Sequence, residues 1–159
     1  KEISGKVNII QIIVNGTGAG DAGAEANLDS LIVTAKIASG STDVQVQDID
    51  WLIVCGGTTM GLVTGNLGTT DAGGDTIVAP ESYNADALDG SDYAATAELP
   101  AGTTFKFDID LDPADDNTAA CAQELGVGET VELKMIVNGG GTTISELQIE
   151  SIVSGKEVT

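Results

Sequence analysis

NLDSLIVTAKIASGSTDVQVQDIDWLIVCG, residues 27–56, is the stretch of sequence that decides the fold. In its first part, apolar side chains alternate with polar ones, which is the period of two expected of a strand with one wet face. The apolar positions of this first strand are Leu31, Val33, Ala35 and Ile37. A short polar connection, SGSTD, leads from this strand to a second one.

The second strand contains a change of phase. Its last four apolar positions share one face and are Ile49, Trp51, Ile53 and Cys55. Val44 and Val46 have the opposite phase, so the pattern flips near Asp48. Such a flip requires either a β-bulge or a strand that crosses from one sheet to another. Trp51 is the only tryptophan in the chain, and we expect it at the centre of a β-sandwich core.

The remaining periodic segments are also strands by their pattern. They are residues 7–14, 104–111, 130–137 and 143–153, with a hairpin turn predicted at 138–141 and a loop predicted from Asn15 onward. The region 56–103 is rich in Gly, Thr and Asp, is acidic, and contains short apolar pieces at 60–64, 76–79 and 93–99. Together these patterns predict one all-β domain over 1–159, an immunoglobulin-like antiparallel β-sandwich.

Composition limits the function. The chain has 25 acidic and 6 basic residues, a formal net charge of −19, and such a surface repels nucleic acid. Histidine is absent, which removes the commonest general base, and no serine lies in a GxSxG motif, so we expect no enzyme activity. No apolar run approaches the roughly 18 residues that a membrane-spanning helix needs.

Two covalent features are candidates for function. The two cysteines, Cys55 and Cys121, either form one disulfide or are two buried small apolar side chains. Asn15, Gly16 and Thr17 form an N-glycosylation sequon on the predicted loop, where an acceptor asparagine is accessible.

Two acidic loops supply oxygen ligands for a hard cation. One contains Asp86, Asp89 and Asp92, and the other contains Asp112, Asp115, Asp116 and Asn117. Calcium takes 6–8 oxygen ligands in flexible geometry, so either loop could hold a structural Ca²⁺ or another divalent cation, and no other cofactor is required. Neither loop has the EF-hand spacing, and Asp and Asn also build ordinary solvated turns.

The order of these segments resembles a known family. The segments are, in order, EISGKVNIIQIIVNGTG, the paired strand block LDSLIVTAKIASGSTDVQVQDIDWLIV, an acidic middle, and the closing GTTFKFDIDL and GVGETVELKMIVNGGGTTISELQIES. In this order of segments the chain is similar to the outer domain of an archaellin, the subunit of the archaeal swimming filament. The resemblance implies an extracellular, often N-glycosylated β-sandwich head. In the family this head follows a hydrophobic N-terminal helix that bundles into the filament core, and the helix is absent from this sequence. The implied partners are other archaellin subunits.

A second class of protein fits the same composition. An extracellular binding module, such as a cohesin-like or adhesin sandwich that docks a cell-surface partner, would also be acidic, strand-rich and free of catalytic motifs.

Overall fold

The computed structural model describes residues 6–18, 27–39, 43–55, 61–68, 85–89, 91, 93–94, 96–110, 128–150 and 155–158. The strands of these residues, in chain order, are β1 (Val7–Gly18), β2 (Asn27–Ile37), β3 (Val44–Gln45), β4 (Ile49–Cys55), β5 (Gly61–Asn66), β6 (Glu98–Leu99), β7 (Thr104–Asp110), β8 (Thr130–Val137) and β9 (Thr142–Gln148). One turn of 3₁₀ helix, Val46–Asp48, separates β3 from β4.

The strands form two main antiparallel sheets. One has the order β1-β2-β7 and the other β5-β4-β8-β9, and β3 pairs with β6 in a small third sheet. In immunoglobulin nomenclature this is A-B-E opposite C′-C-F-G, with the buried tryptophan on strand C as in that fold. The predicted antiparallel sandwich is confirmed. The two strands of residues 27–56 do not pair with each other, however, because β2 and β4 belong to opposite sheets.

One core lies between the two sheets. The predicted inward positions of β2 and β4 are all buried, and Trp51 is 1% exposed. β7 contributes Phe105, Phe107 and Ile109, and every second residue of β8 from Val131 to Val137 is buried as well. The period of two therefore assigned the inward face of these strands correctly. Leu111, the next alternate position after Ile109, lies outside the described residues.

The phase flip near Asp48 is a change of sheet. Val44 lies in β3, which pairs with β6, whereas Ile49 begins β4 of the four-stranded sheet. The intervening 3₁₀ turn adds the rotation that lets Val46 and Ile49 both be buried. Of the two alternatives for the flip, the crossing between sheets is confirmed, and the connecting device is a short helical turn.

β1 is longer than its apolar pattern predicts. The loop expected from Asn15 begins later, because β1 continues to Gly18 and pairs with the start of β2. The pairing shifts register three times: between Ile9 and Gln11, between Val14 and Gly16, and between Gly16 and Thr17. Ile10 and Asn15 are the inserted residues at the first two of these bulges. Backbone pairing with β2 thus overrides the low strand propensity of the Asn-Gly-Thr-Gly sequence.

Both edges of the three-stranded sheet are covered by segments outside the named strands. Val158 donates its N–H to Ile12, and Glu157 forms a bridge with Ile13 of β1. On the other side Asp86 forms a bridge with Lys106 of β7. At these positions the backbone groups of the edge strands are already paired and are not available to other strands.

The acidic region 56–103 contributes β5 and β6 to the described part of the chain. β5 is the edge strand beside β4 and contains most of the apolar piece at 60–64, which by its pattern is a short strand or edge piece. β6 ends at Leu99, and Pro100 begins a turn in which Thr103 donates to its carbonyl oxygen. The piece at 76–79 lies outside the described residues.

Candidate functional sites on the sandwich

The loop that starts at Asp86 is built as a turn. The Ser91 N–H and hydroxyl both donate to Oδ1 of Asp89, at 2.9 and 2.6 Å, and the Ala87 N–H donates to the Ser91 carbonyl at 2.8 Å. These bonds from Ser91, its side chain first, lower the pKa of the exposed Asp89 carboxyl. Asp89 is therefore satisfied within its own turn, as turn-forming Asp residues generally are.

The structure does not bring a cation site together in the residues it describes. Asp86 is half-buried against β7, whereas Asp89 is exposed in its turn. Within the described ranges no three Asp, Glu, Cys or His residues are grouped as a metal would require. The other predicted ligands lie outside those ranges and are Asp92, Asp112, Asp115, Asp116 and Asn117. The divalent-cation site stays a prediction.

The sequon has a definite backbone position. Asn15 lies on β1 at the bulge between Val14 and Gly16, near the end of the strand and not in a free loop. A bulged residue faces no partner on the neighbouring strand, so its position is set apart from the ladder. Glycosylation of Asn15 stays a prediction.

Cys55 closes the buried face of β4. Its side chain is fully buried and is disulfide-bonded. Cys121, the chain's other cysteine, lies outside the described residues. The pairing of Cys55 with Cys121 stays a prediction.

The outer face of the four-stranded sheet is unexpectedly apolar. Its register sets Leu62 beside Val54, and Thr64 beside Leu52. Leu62 is 62% exposed, and Ile144 on the other edge strand is 59% exposed. The sequence analysis assigned the inward face only. The alternation already placed Leu62 and Ile144 on the outward face, but their exposure was not predicted.

The outer face of the three-stranded sheet is polar and contains lysines. Lys36 lies on β2 and Lys106 on β7, both half-buried on the outward side. Asp108 shares this face two residues beyond Lys106. Burial raises the pKa of the Asp108 carboxyl, and the positive charge of Lys106 opposes part of that rise. Asp108 thus places on this face a carboxyl group whose charged form is disfavoured by burial.

Comparison with known proteins gives a similarity of fold. No family description matches the sequence, and no curated protein matches it either. The structure is similar to a chain of the archaeal flagellum of Methanospirillum hungatei strain JF1, with a TM-score of 0.54, 13% identity, and coverage of 99% of this chain and 71% of that chain. The archaellum periplasmic stator protein FlaG from Sulfolobus acidocaldarius is also similar, with a TM-score of 0.39, 10% identity, and coverage of 86% of this chain and 97% of that chain.

These structural neighbours are archaellum components, and the fold implied by the archaellin resemblance is confirmed. In the part of the chain that the structure describes, no helix is long and apolar enough to cross a membrane.

Proposed function

We propose that this chain is the solvent-exposed globular domain of an archaellin-type subunit of the archaeal swimming filament. One observation carries the proposal: the sandwich aligns over 99% of its length with a chain of an archaeal flagellum. The segment order that resembles archaellins supports it from the sequence alone. In this proposal the domain is extracellular, its partners are other filament subunits, and it catalyses no reaction.

The physical character of the surface agrees with this role. A net charge of −19 keeps crowded copies of a protein soluble by mutual repulsion, which suits an outward-facing filament layer. A disulfide at Cys55 is favoured outside the cell, because thiols are kept reduced in the cytosol. Both features also fit the alternative, an extracellular adhesin or cohesin-like module, so a direct test is needed.

The test is to shear filaments from cells that encode this chain, purify them, and identify their subunits by mass spectrometry of proteolytic peptides. One marker of this domain is the tryptic peptide of residues 107–134, FDIDLDPADDNTAACAQELGVGETVELK, which runs from β7 into β8. We expect its peptides among the major filament components. Peptides recovered only from the cell-envelope fraction, with filaments that lack them, would instead support the binding module.

A further inference from the structure

We propose that the two outer faces of the sandwich are the two halves of one contact between copies of this chain, the lysine-bearing face of one copy docking on the acidic face of the next. The inference deepens the proposed function and rests on it, because a filament subunit is surrounded by copies of itself.

The first surface, called the lysine face, is the cationic half of the outer side of β1-β2-β7. It consists of Asn8, Gln11, Thr34, Lys36, Thr104 and Lys106. Lys36 pairs with Thr104 and Thr34 pairs with Lys106, so the two lysines are diagonal neighbours on adjacent strands. They are two of only six basic residues in the chain.

The surroundings of the lysine face are mixed in charge. Asp108 and Asp110 follow Lys106 at alternate positions of β7. Asp86 pairs with the backbone of Lys106 at one sheet edge, and Glu157 pairs with the backbone of Ile13 at the other. The positive charge of this face therefore lies at Lys36 and Lys106, and carboxylates border it toward the end of β7. Ile10, inserted at the β1 bulge and 53% exposed, adds an apolar contact beside Gln11.

The second surface, called the acidic face, is the outer side of β5-β4-β8-β9. Its register rows are Leu62, Val54, Glu132 and Glu146; then Thr64, Leu52, Lys134 and Ile144; then Asn66, Asp50, Ile136 and Thr142. Three carboxylates against one lysine make this face net negative. Five apolar side chains lie among them, and Leu62 and Ile144 are more than half exposed. Leu62 and Ile144 lie on the two edge strands of this face, so a partner that covers the whole face would bury both of them.

Charge decides which faces meet. Two lysine faces would bring cations together, and two acidic faces would bring carboxylates together, and like-charge juxtaposition across an interface is costly. A lysine face against an acidic face removes both penalties and also covers the exposed apolar residues. The contact is therefore heterologous.

The position of the faces gives the contact its consequence. They lie on opposite sides of one core, since each is the outer side of one of the two packed sheets. A heterologous contact between opposite sides leaves a free half at each end, so it propagates from copy to copy instead of closing as a dimer.

Two charge-swapped variants of the 159-residue chain test the proposal by sedimentation equilibrium at fixed ionic strength up to roughly 1 mM protein. Lys36→Glu with Lys106→Glu makes the lysine face acidic, and Glu132→Lys with Glu146→Lys makes the acidic face basic. We expect each variant alone to self-associate roughly tenfold more weakly than the unmodified chain, because each now opposes like charges. Mixing the two variants in equal amounts should restore association, because both kinds of contact again join opposite charges.

Net charge is controlled by a matched variant. The pair Glu132→Lys and Glu146→Lys changes the net charge from −19 to −19 + 4 = −15, and so does Asp43→Lys with Glu98→Lys on the exposed β3–β6 side. Generic repulsion predicts stronger association for both −15 variants. The proposed contact predicts weakening for the first only. Equal behaviour of the two, or no association of the unmodified chain at any concentration, would overturn the proposal.

Zero-length carbodiimide cross-linking identifies the residues directly. The reagent joins a lysine amine to a carboxylate as an amide, with loss of water to the carbodiimide, only where the two groups touch. In an equal mixture of ¹⁴N- and ¹⁵N-labelled chains, we expect mixed-isotope cross-links from Lys36 or Lys106 to Glu132, Glu146 or Asp50. Mixed-isotope cross-links that join other positions exclusively would rule out these faces.

This outcome is separable from the proposed function. If the faces pair but the chain is absent from purified filaments, the contact stands and the filament assignment fails. If the chain is a filament component but the swapped variants behave like their controls, the filament assignment stands and the faces are wrong.

Discussion

Gly65 lies directly across the sheet from Trp51, and the indole ring occupies the space that a side chain at Gly65 would need. A Cβ at Gly65 would come within 2.6 Å of Cε2 and Cζ2 of the ring, closer than real Cβ contacts. Thr64, the preceding residue, donates its hydroxyl to the Trp51 carbonyl oxygen at 3.0 Å. The edge strand β5 is thus fitted to the one tryptophan of the core.

This fit predicts the effect of Gly65→Ala. The added methyl group must displace the buried ring or the strand, and overpacking of this kind costs about 1–3 kcal/mol of unfolding free energy. Urea unfolding followed by Trp51 fluorescence measures it. In a double-mutant cycle, Trp51→Phe should relieve much of the cost, because the smaller ring vacates the contact. Strict additivity of the two substitutions would show that the ring is not what excludes a side chain at Gly65.

Trp51→Ala tests the core itself. Trp51 is 1% exposed and belongs to the core shared by both sheets. Truncating a fully buried aromatic side chain should lower the unfolding free energy by about 3–5 kcal/mol. Chemical denaturation followed by circular dichroism provides the measurement, since this variant lacks the fluorophore. A loss below about 1 kcal/mol would mean that the ring contributes little to the core.

The disulfide predicts a measurable cross-link. If Cys55 pairs with Cys121, alkylation of the unfolded, unreduced protein should leave no modified thiol in the mass spectrum. Replacing both cysteines with alanine should cost about 2–5 kcal/mol, because the bond restrains a long loop of the unfolded chain. Two alkylated thiols in the oxidised protein would contradict the pairing.

Asp108 predicts a pH dependence. Its pKa in the folded protein is raised above the ordinary value of 3.8, mainly by burial, so the folded state holds this proton more tightly than the unfolded state. Its contribution to stability is therefore best at low pH and falls as the pH rises from about 3.8 through the folded pKa. The melting temperature of Asp108→Asn relative to the unmodified chain should rise across that window. If the melting temperature of Asp108→Asn relative to the unmodified chain instead fell with rising pH, the prediction would be wrong.

Asp89 predicts the opposite pH dependence to that of Asp108. Its pKa is lowered by bonds from Ser91, so its contribution is present at neutral pH and is lost as the pH falls through the folded pKa. Asp89→Asn should melt at a lower temperature than the unmodified chain at neutral pH, and this difference in melting temperature should shrink as the pH falls. Its full exposure makes the effect small.

The cation hypothesis has its own test. A specific site for Ca²⁺ predicts a saturable rise in melting temperature that a chelator reverses, by mass action on the folded state. Asp89→Asn with Asp92→Asn, or Asp115→Asn with Asp116→Asn, should remove the rise. Sodium chloride at matched ionic strength is the control. An equal rise with sodium would show that the acidic loops are ordinary solvated turns.

The sequence by itself determined the strands and their buried faces. Alternation of side chains with a period of two is a local property, so residues 31–37 and 49–55 could be assigned inward faces without knowledge of their neighbours. The same pattern indicated that a regular strand is interrupted near Asp48, because a phase flip cannot occur inside one regular strand.

Only the tertiary structure decided which strands are neighbours. Pairing of β2 with β7 and of β4 with β8 joins segments distant in the chain, and no local pattern encodes that choice. The extension of β1 through its glycine-rich end, the space left by Gly65 for Trp51, and the gathering of Lys36 with Lys106 on one face all follow from it. The physical reason is that each depends on cross-strand register, which is set when two sheets close over a shared core.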